Sequence, residues 1–229
     1  YNAQGCSDTV VTTINPFNGL SNAVVAQVSD LTCVSGEEIR VTFDSSIAAS
    51  PITADVRVTG PGGYDVTLNG TSPLNFTGLG EGVYTVAISN ADPTINCVLT
   101  ETYEVLPVTN YILDVTKTSD IVCLGDITGA ITFDFNAATD YSGAYTYVIK
   151  QDGGTPNDFT DDTDVTGSTG ADGSGMELES VGGIPAGTGY YVEVTMTATP
   201  ECLVRSGFFT IDAPAVALSV TGATTAISC

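Results

Sequence analysis

Hydrophobic and polar positions alternate with period two in short stretches along this chain, and no stretch holds a helical period long enough to count. β-branched and aromatic residues fill the alternate positions, and Gly, Pro, Asn and Asp close the stretches, so the pattern predicts strands. The first part predicts Ala23–Val28, Glu38–Phe43, Asp55–Thr59, Tyr64–Leu68, Leu74–Thr77, Val83–Ser89 and Val98–Leu106. Gly60-Pro61-Gly62-Gly63 supplies a tight reversal, and Asn69-Gly70 predicts a turn with positive φ. The second part predicts Ile112–Lys117, Ala130–Asn136, Ala144–Lys150, Gly189–Thr197 and Leu203–Ile211 in the same order. Short strands with turns at this spacing describe a β-sandwich of immunoglobulin type.

The pattern is also written more than once. Cys6 to Pro16, Cys97 to Pro107 and Cys202 to Pro214 each run from a cysteine through threonine and β-branched residues to a proline. A second phrase follows each and ends at Cys33, Cys123 and Cys229, at spacings of 33 − 6 = 27, 123 − 97 = 26 and 229 − 202 = 27. The fold class expected is therefore all-β, with tandem immunoglobulin-like domains head to tail. The division expected is 1–20 as the end of a preceding repeat, 21–108 as repeat one, 109–215 as repeat two, and 216–229 as the first strand of another, in a window cut from a longer chain. Cys33 to Cys97 spans 64 positions and Cys123 to Cys202 spans 79, so repeat two carries an insertion of 15, read as an acidic surface loop at 151–175.

Charge narrows the partners. Five Lys and Arg stand against 27 Asp and Glu, a net charge of −22. Nothing here neutralises phosphates, which disfavours nucleic acid, and an anionic membrane surface is disfavoured equally. No apolar run reaches the ~20 residues of a spanning helix, so no membrane insertion is expected in this segment. The expected effects are solubility and repulsion between neighbouring molecules. Six regularly placed cysteines without a single histidine point to disulfides and an exported, oxidised setting.

The same absence removes the Ser-His-Asp and Cys-His constellations, so no catalysis and no resident cofactor are expected. One metal candidate remains. Asp158, Asp161, Asp162, Asp164 and Asp172 lie close together among Thr and Gly, and Ca²⁺ takes six to eight oxygen ligands from such loops; the spacing matches no EF-hand, and a solvated acidic loop is the competing reading. Tyr141, Tyr145 and Tyr147 offer a glycan-stacking face, against a core role for Tyr145 and Tyr147 on one face of a strand. Tyr84 and Tyr191 are expected at strand corners. Asn69-Gly-Thr71 and Asn75-Phe-Thr77 are sequons, and Asp8-Thr9-Val10 fits a short O-glycosylation motif.

Several phrases resemble the SprB-type repeat, an immunoglobulin-like module of giant cell-surface adhesins, gliding-motility adhesins included, in Bacteroidetes. They are Cys123-Leu-Gly-Asp-Ile-Thr-Gly-Ala-Ile-Thr-Phe, Tyr145-Thr-Tyr, Phe76-Thr-Gly-Leu-Gly-Glu-Gly-Val-Tyr-Thr-Val-Ala-Ile with Cys97, and Gly183-Ile-Pro-Ala-Gly-Thr-Gly-Tyr-Tyr-Val-Glu-Val with Cys202. Cys33-Val-Ser-Gly-Glu-Glu departs from the pattern, and Pro-Tyr-x-Tyr is missing. The resemblance implies secretion by the type IX system and display outside the cell, on the bacterial surface, as long stalks or filaments. Partners would then be neighbouring repeats of the same chain and other copies in a filament or bundle.

Strand order bears on the cysteines. In such a sandwich Cys33 would lie at one end and Cys97 at the other, ~26 Å apart for strands of about eight residues. Disulfide Cα atoms must approach within ~7 Å. Head-to-tail stacking instead brings Cys33 to Cys202, with Cys97 reaching back to a preceding unit and Cys123 forward to a following one; Cys6 and Cys229 would pair outside the window. Pairing within each unit, Cys33–Cys97 and Cys123–Cys202, and free thiols stay open as alternatives. The expected function is a structural stalk segment giving reach and stiffness; a glycan- or Ca²⁺-binding adhesion module, a subunit polymerising by strand exchange and an accessory module of a secreted enzyme are the rivals.

Overall fold

A computed structural model describes residues 19–46, 51–92, 97–155, 157–172, 178–216, 219 and 222, with backbone alone at 166–172. Residues 1–18 and 223–229 lie outside the described residues, and with them Cys6, Asp8-Thr9-Val10, Cys229 and most of the strand expected at 216–229. Two compact units emerge. One runs to Leu31 and resumes over Gly36–Pro107; the other takes Thr32–Ser35 and everything from Val108 onward.

In the first unit, β1 (Leu20–Ser29), β2 (Glu37–Ser45) and β5 (Leu74–Leu79) form an antiparallel sheet in the order β1-β2-β5. β3 (Ala54–Thr59), β4 (Asp65–Gly70), β6 (Gly82–Asn90) and β7 (Val98–Val105) form a second in the order β4-β3-β6-β7. Alternation decides which faces turn inward: Ile39, Val41 and Phe43 of β2, Val56 and Val58 of β3, and Tyr84, Val86 and Ile88 of β6 are all buried in one core. Each such side chain contributes about 1.5–3 kcal/mol by leaving water. Seven strands split three and four make a sandwich of immunoglobulin type. The fourth strand borders the third, whereas the constant-type arrangement sets it beside the fifth.

The second unit repeats this wiring. β8 (Leu113–Ser119), β9 (Gly129–Phe135) and β12 (Glu179–Ile184) run in the order β12-β9-β8. β10 (Tyr145–Gln151), β11 (Thr163–Asp172), β13 (Gly187–Met196) and β14 (Leu203–Arg205) run β11-β10-β13-β14, with β15 (Phe209–Ile211) also on β13. β1 corresponds to β8, β2 to β9, and so on to β7, whose place β14 and β15 share. The interruption has a local cause: the Ser206 hydroxyl accepts the Val192 amide at 2.9 Å, where a regular ladder would use a carbonyl.

Three sequence expectations change here. Part of the 151–175 surface loop is strand: β11 pairs with β10 from Gln151↔Thr163 to Tyr145↔Asp172. The insertion therefore lengthens a hairpin equivalent to β3–β4. Asn69-Gly70 is not the turn; both pair with β3, and Asn69 Nδ2 donates to Asp55 Oδ1 across the ladder at 2.6 Å. The corner tyrosine of the second unit is Tyr190, not Tyr191. Tyr84 donates to the Gly80 carbonyl at 3.0 Å and Tyr190 to that of Ala186 at 3.4 Å, each four residues upstream at the start of the sixth strand.

Candidate functional site

The four-residue segment Thr32–Ser35 stands between β1 and β2 in the chain and yet belongs to the second unit. Its shape comes from Thr32, whose hydroxyl accepts the amides of Val34 at 3.2 Å and Ser35 at 2.9 Å, while its own amide donates to the Ser35 carbonyl. This turn presents Cys33. The Cys33 amide donates to the Pro200 carbonyl at 2.9 Å, and a disulfide joins Cys33 to Cys202 with Cα atoms 5.0 Å apart. Cys202 is buried in the turn between β13 and β14, where its carbonyl accepts the Met196 amide and Glu201 donates back to Ala198. Among the described residues Cys97 and Cys123 carry free thiols, Cys97 half-buried and Cys123 exposed.

The acidic residues sit on the hairpin formed by β10 and β11, and Asp158, Asp162 and Asp164 each find a separate partner. Asp158 accepts both the amide and the hydroxyl of Thr160, whose hydroxyl bond above all holds the carboxyl below its usual range. Asp162 accepts the Gly153 amide at 3.0 Å and the Tyr191 hydroxyl at 2.5 Å. Asp164 pairs with Lys150 at 3.1 Å, and Asp161 lies close against Gly153. The side chain of Asp172 lies outside the described residues. Among the described residues no three acidic or thiol groups converge on a point where a cation would sit.

What these contacts build is a clamp. Phe159 stacks edge-on against Tyr191, with ring centroids 5.8 Å apart, and the Arg205 guanidinium carbon lies 3.8 Å from the centre of the Phe159 ring. Arg205 is itself held by Glu193 at 2.7 Å, and Tyr191 packs on Phe208. Burial, followed by the bond to Asp162, pushes the Tyr191 phenol far up. The hairpin thus lies down on the β13–β14 face. Phe159→Ala is expected to free it: losing the stacking and the cation–π contact costs about 1–2 kcal/mol locally. Hydrogen exchange over 157–165 should accelerate about tenfold, since each 1.4 kcal/mol is a factor of ten.

The tyrosines proposed for glycan stacking are placed as follows. Tyr141 is buried and donates to the Ala144 and Ala198 carbonyls; Tyr145 is buried with its hydroxyl on Glu179; Tyr147 is half-buried, edge-on to Phe133 at 4.9 Å. The sequon asparagines are both engaged, Asn69 with Asp55 and Asn75 with Glu38 and Arg40.

Sequence reasoning passed over one buried charge. Glu37 is 3% exposed, and the Tyr103 hydroxyl donates to it at 2.5 Å. Burial, then this bond and the carboxylate's charge, push the Tyr103 phenol up to about 12. The folded value exceeds the unfolded ~10, so the contribution is fully present below pH 10 and is lost as pH rises through about 12. Thermal melts by circular dichroism between those values should show destabilisation, less steep in Tyr103→Phe. Tyr64 and Tyr84 shift the same way and keep part of the slope.

All five cations of the chain are occupied: Arg57 on Asp65, Lys117 on Asp120 and Asp212, Lys150 and Arg205 on Glu193, and Arg40 on Asn75. The net charge of −22 is therefore displayed without a free cationic surface. No helix among the described residues is long and apolar enough to cross a membrane.

No family model matches the chain, and no curated protein matches it. Among solved structures it is similar to the full ectodomain, Ig1–Ig3, of mouse nectin-like molecule 4, at 13% identity over 87% of this chain and 67% of that one, with a TM-score of 0.32.

Proposed function

We propose that this chain is a non-catalytic structural segment of an exported bacterial surface protein, a stalk of immunoglobulin-like units in the manner of SprB-type repeats. Adhesion would reside elsewhere, at a tip. The observation that carries this reading is the Cys33–Cys202 bridge. It fastens a segment lying between two strands of the first sandwich into the second unit, so the polypeptide passes between units at 31–32, 35–36 and 107–108 rather than once. Beads on one linker swing freely; units whose chain passes between them three times, with the Thr32–Ser35 segment anchored by a disulfide inside the second unit, would not. A disulfide also suits an oxidising exterior, and few Lys and Arg leave few sites for trypsin-like proteases. The uncompensated negative charge would keep neighbouring stalks apart.

Small-angle X-ray scattering tests the mechanical part. The reading expects the pair-distance distribution of the oxidised chain to be narrow, and to broaden when Cys33 and Cys202 are both replaced by serine. Superimposable profiles for the two proteins would remove stiffening from the account.

A further inference from the structure

The first unit keeps a buried carboxylate where its wiring does not need one. Glu37 is 3% exposed and pairs with Leu79; the second unit fills the same register with Gly129, paired with Ile184. Tyr103, which donates to Glu37, is matched by Phe209, since the two lie opposite the corner tyrosines Tyr84 and Tyr190. The same sandwich therefore forms without either polar group. One Glu37 oxygen takes the Tyr103 hydroxyl, and no donor among the described residues reaches the other. No buried side-chain oxygen among them goes without a partner, so this second oxygen is open. It opens on a cavity of about 360 Å³ within the first unit. Leu31 and Leu106 give that cavity apolar walls, and the exposed Asp30 and Glu104 add two more carboxylates. A buried carboxylate is costly unless it is paired, and all five cations of the chain are engaged elsewhere.

The second unit shows what this corner takes. Lys117 pairs with Ile131 as Gln27 pairs with Ile39, and Ser119-Asp120-Ile121 follows it as Ser29-Asp30-Leu31 follows Gln27. The Lys117 ammonium sits between Asp120 and Asp212, at 2.8 and 3.0 Å. The first unit has Asp30 in the place of Asp120 and glutamine in the place of the lysine, so it holds the acids without the cation. We propose that the cavity binds a primary alkylammonium group from outside the chain, carried by a lysine side chain of a partner protein or by a free aliphatic amine. The ammonium donates to the open oxygen of Glu37 and to its acidic neighbours, and the methylene stem lies along Leu31 and Leu106. The apolar walls favour such a stem over a bare metal ion, and among the described residues no three acidic groups converge as a metal would require.

Titration of the full chain with n-butylammonium, followed by heteronuclear NMR, tests this. Saturable shifts in the millimolar range are expected at the amides of Leu31, Glu37, Tyr103 and Leu106. They should weaken as salt rises from about 0.01 M to about 0.15 M, where the Debye length falls from ~30 to ~8 Å. Glu37→Gln keeps an acceptor for Tyr103 and should weaken binding about tenfold or more, the loss of one charge-assisted hydrogen bond. Gln27→Lys leaves Glu37 and Tyr103 untouched, places a lysine as in the second unit, and should abolish binding. The peptide acetyl-Gly-Lys-Gly-amide distinguishes the sources: binding at least as tight as that of butylammonium assigns a partner's lysine, and weaker binding assigns a free amine. No saturable shift, unchanged binding in Gln27→Lys, or equal shifts at the acidic hairpin of the second unit would each overturn the proposal. The stalk reading survives that failure, because it rests on the Cys33–Cys202 bridge.

Discussion

Replacing Gly129 by alanine is expected to destabilise the second unit by about 3 kcal/mol or more, although the change adds a single methyl group. Gly129 opens β9 and pairs with Ile184 at the end of β12. A Cβ built on it would stand 2.5 Å from the Ile184 carbonyl oxygen and 2.5 Å from Ile211 Cγ2. The first of these atoms is backbone and cannot swing aside, so the ladder itself must move, and overpacking of this kind costs about 1–3 kcal/mol or more. In the first unit Glu37 holds the matching register, paired with Leu79, and the confined glycine is Gly36 one position earlier, where a Cβ would meet the Gly78 backbone at 2.5 Å. In both units the fifth strand carries an extra residue opposite this point, with Gly78 and Gly183 both at φ +78°. At Gly129 the end of the bulged strand stands too close for any side chain, and glycine is what fits. Urea denaturation should show Gly129→Ala losing the second unit's stability and leaving the first unit's unchanged; a shift below 1 kcal/mol would mean that the β9–β12 contact relaxes freely.

This glycine was visible in the sequence only as part of a resembling phrase, and it marks the boundary of what the chain reveals unaided. Strands such as β2 and β6 were legible because Ile39, Val41 and Phe43, or Tyr84, Val86 and Ile88, alternate cleanly against polar neighbours. β11 was not, because Val165 is the one large apolar residue in Thr163–Asp172; its strand state comes from the ladder to β10. Adjacent Tyr190 and Tyr191 point to opposite faces of one strand, and no local signal says which one turns the corner. The acids of the hairpin were legible as charges and not as a clamp, since Tyr191, Glu193 and Arg205 lie some thirty to forty residues downstream of Asp162 and Asp164.

Removing the Cys33–Cys202 bridge is expected to weaken both units, not one. While the bridge is closed, a chain unfolding in one unit stays tethered at both ends to the other. If the second unit opens, the loop runs from Pro107 to Cys202, 202 − 107 = 95 residues; if the first opens, it runs from Cys33 to Val108, 108 − 33 = 75 residues. Loop-closure entropy makes a cross-link over about 100 residues worth up to ~4.7 kcal/mol, and bridges commonly deliver about 2–4 kcal/mol. The weak dependence on loop length makes the two units' shares nearly equal. In scanning calorimetry, the Cys33→Ser/Cys202→Ser chain should show both transitions lowered by about 10 °C, at roughly 4 °C per kcal/mol for units of this size. Reductant added to the unsubstituted chain should reproduce the shift, which separates the lost cross-link from the hydroxyl placed at buried position 202. If the second transition alone falls, the bridge acts only within the unit that holds both its cysteines, and the tethering argument fails together with the stiff stalk that depends on it.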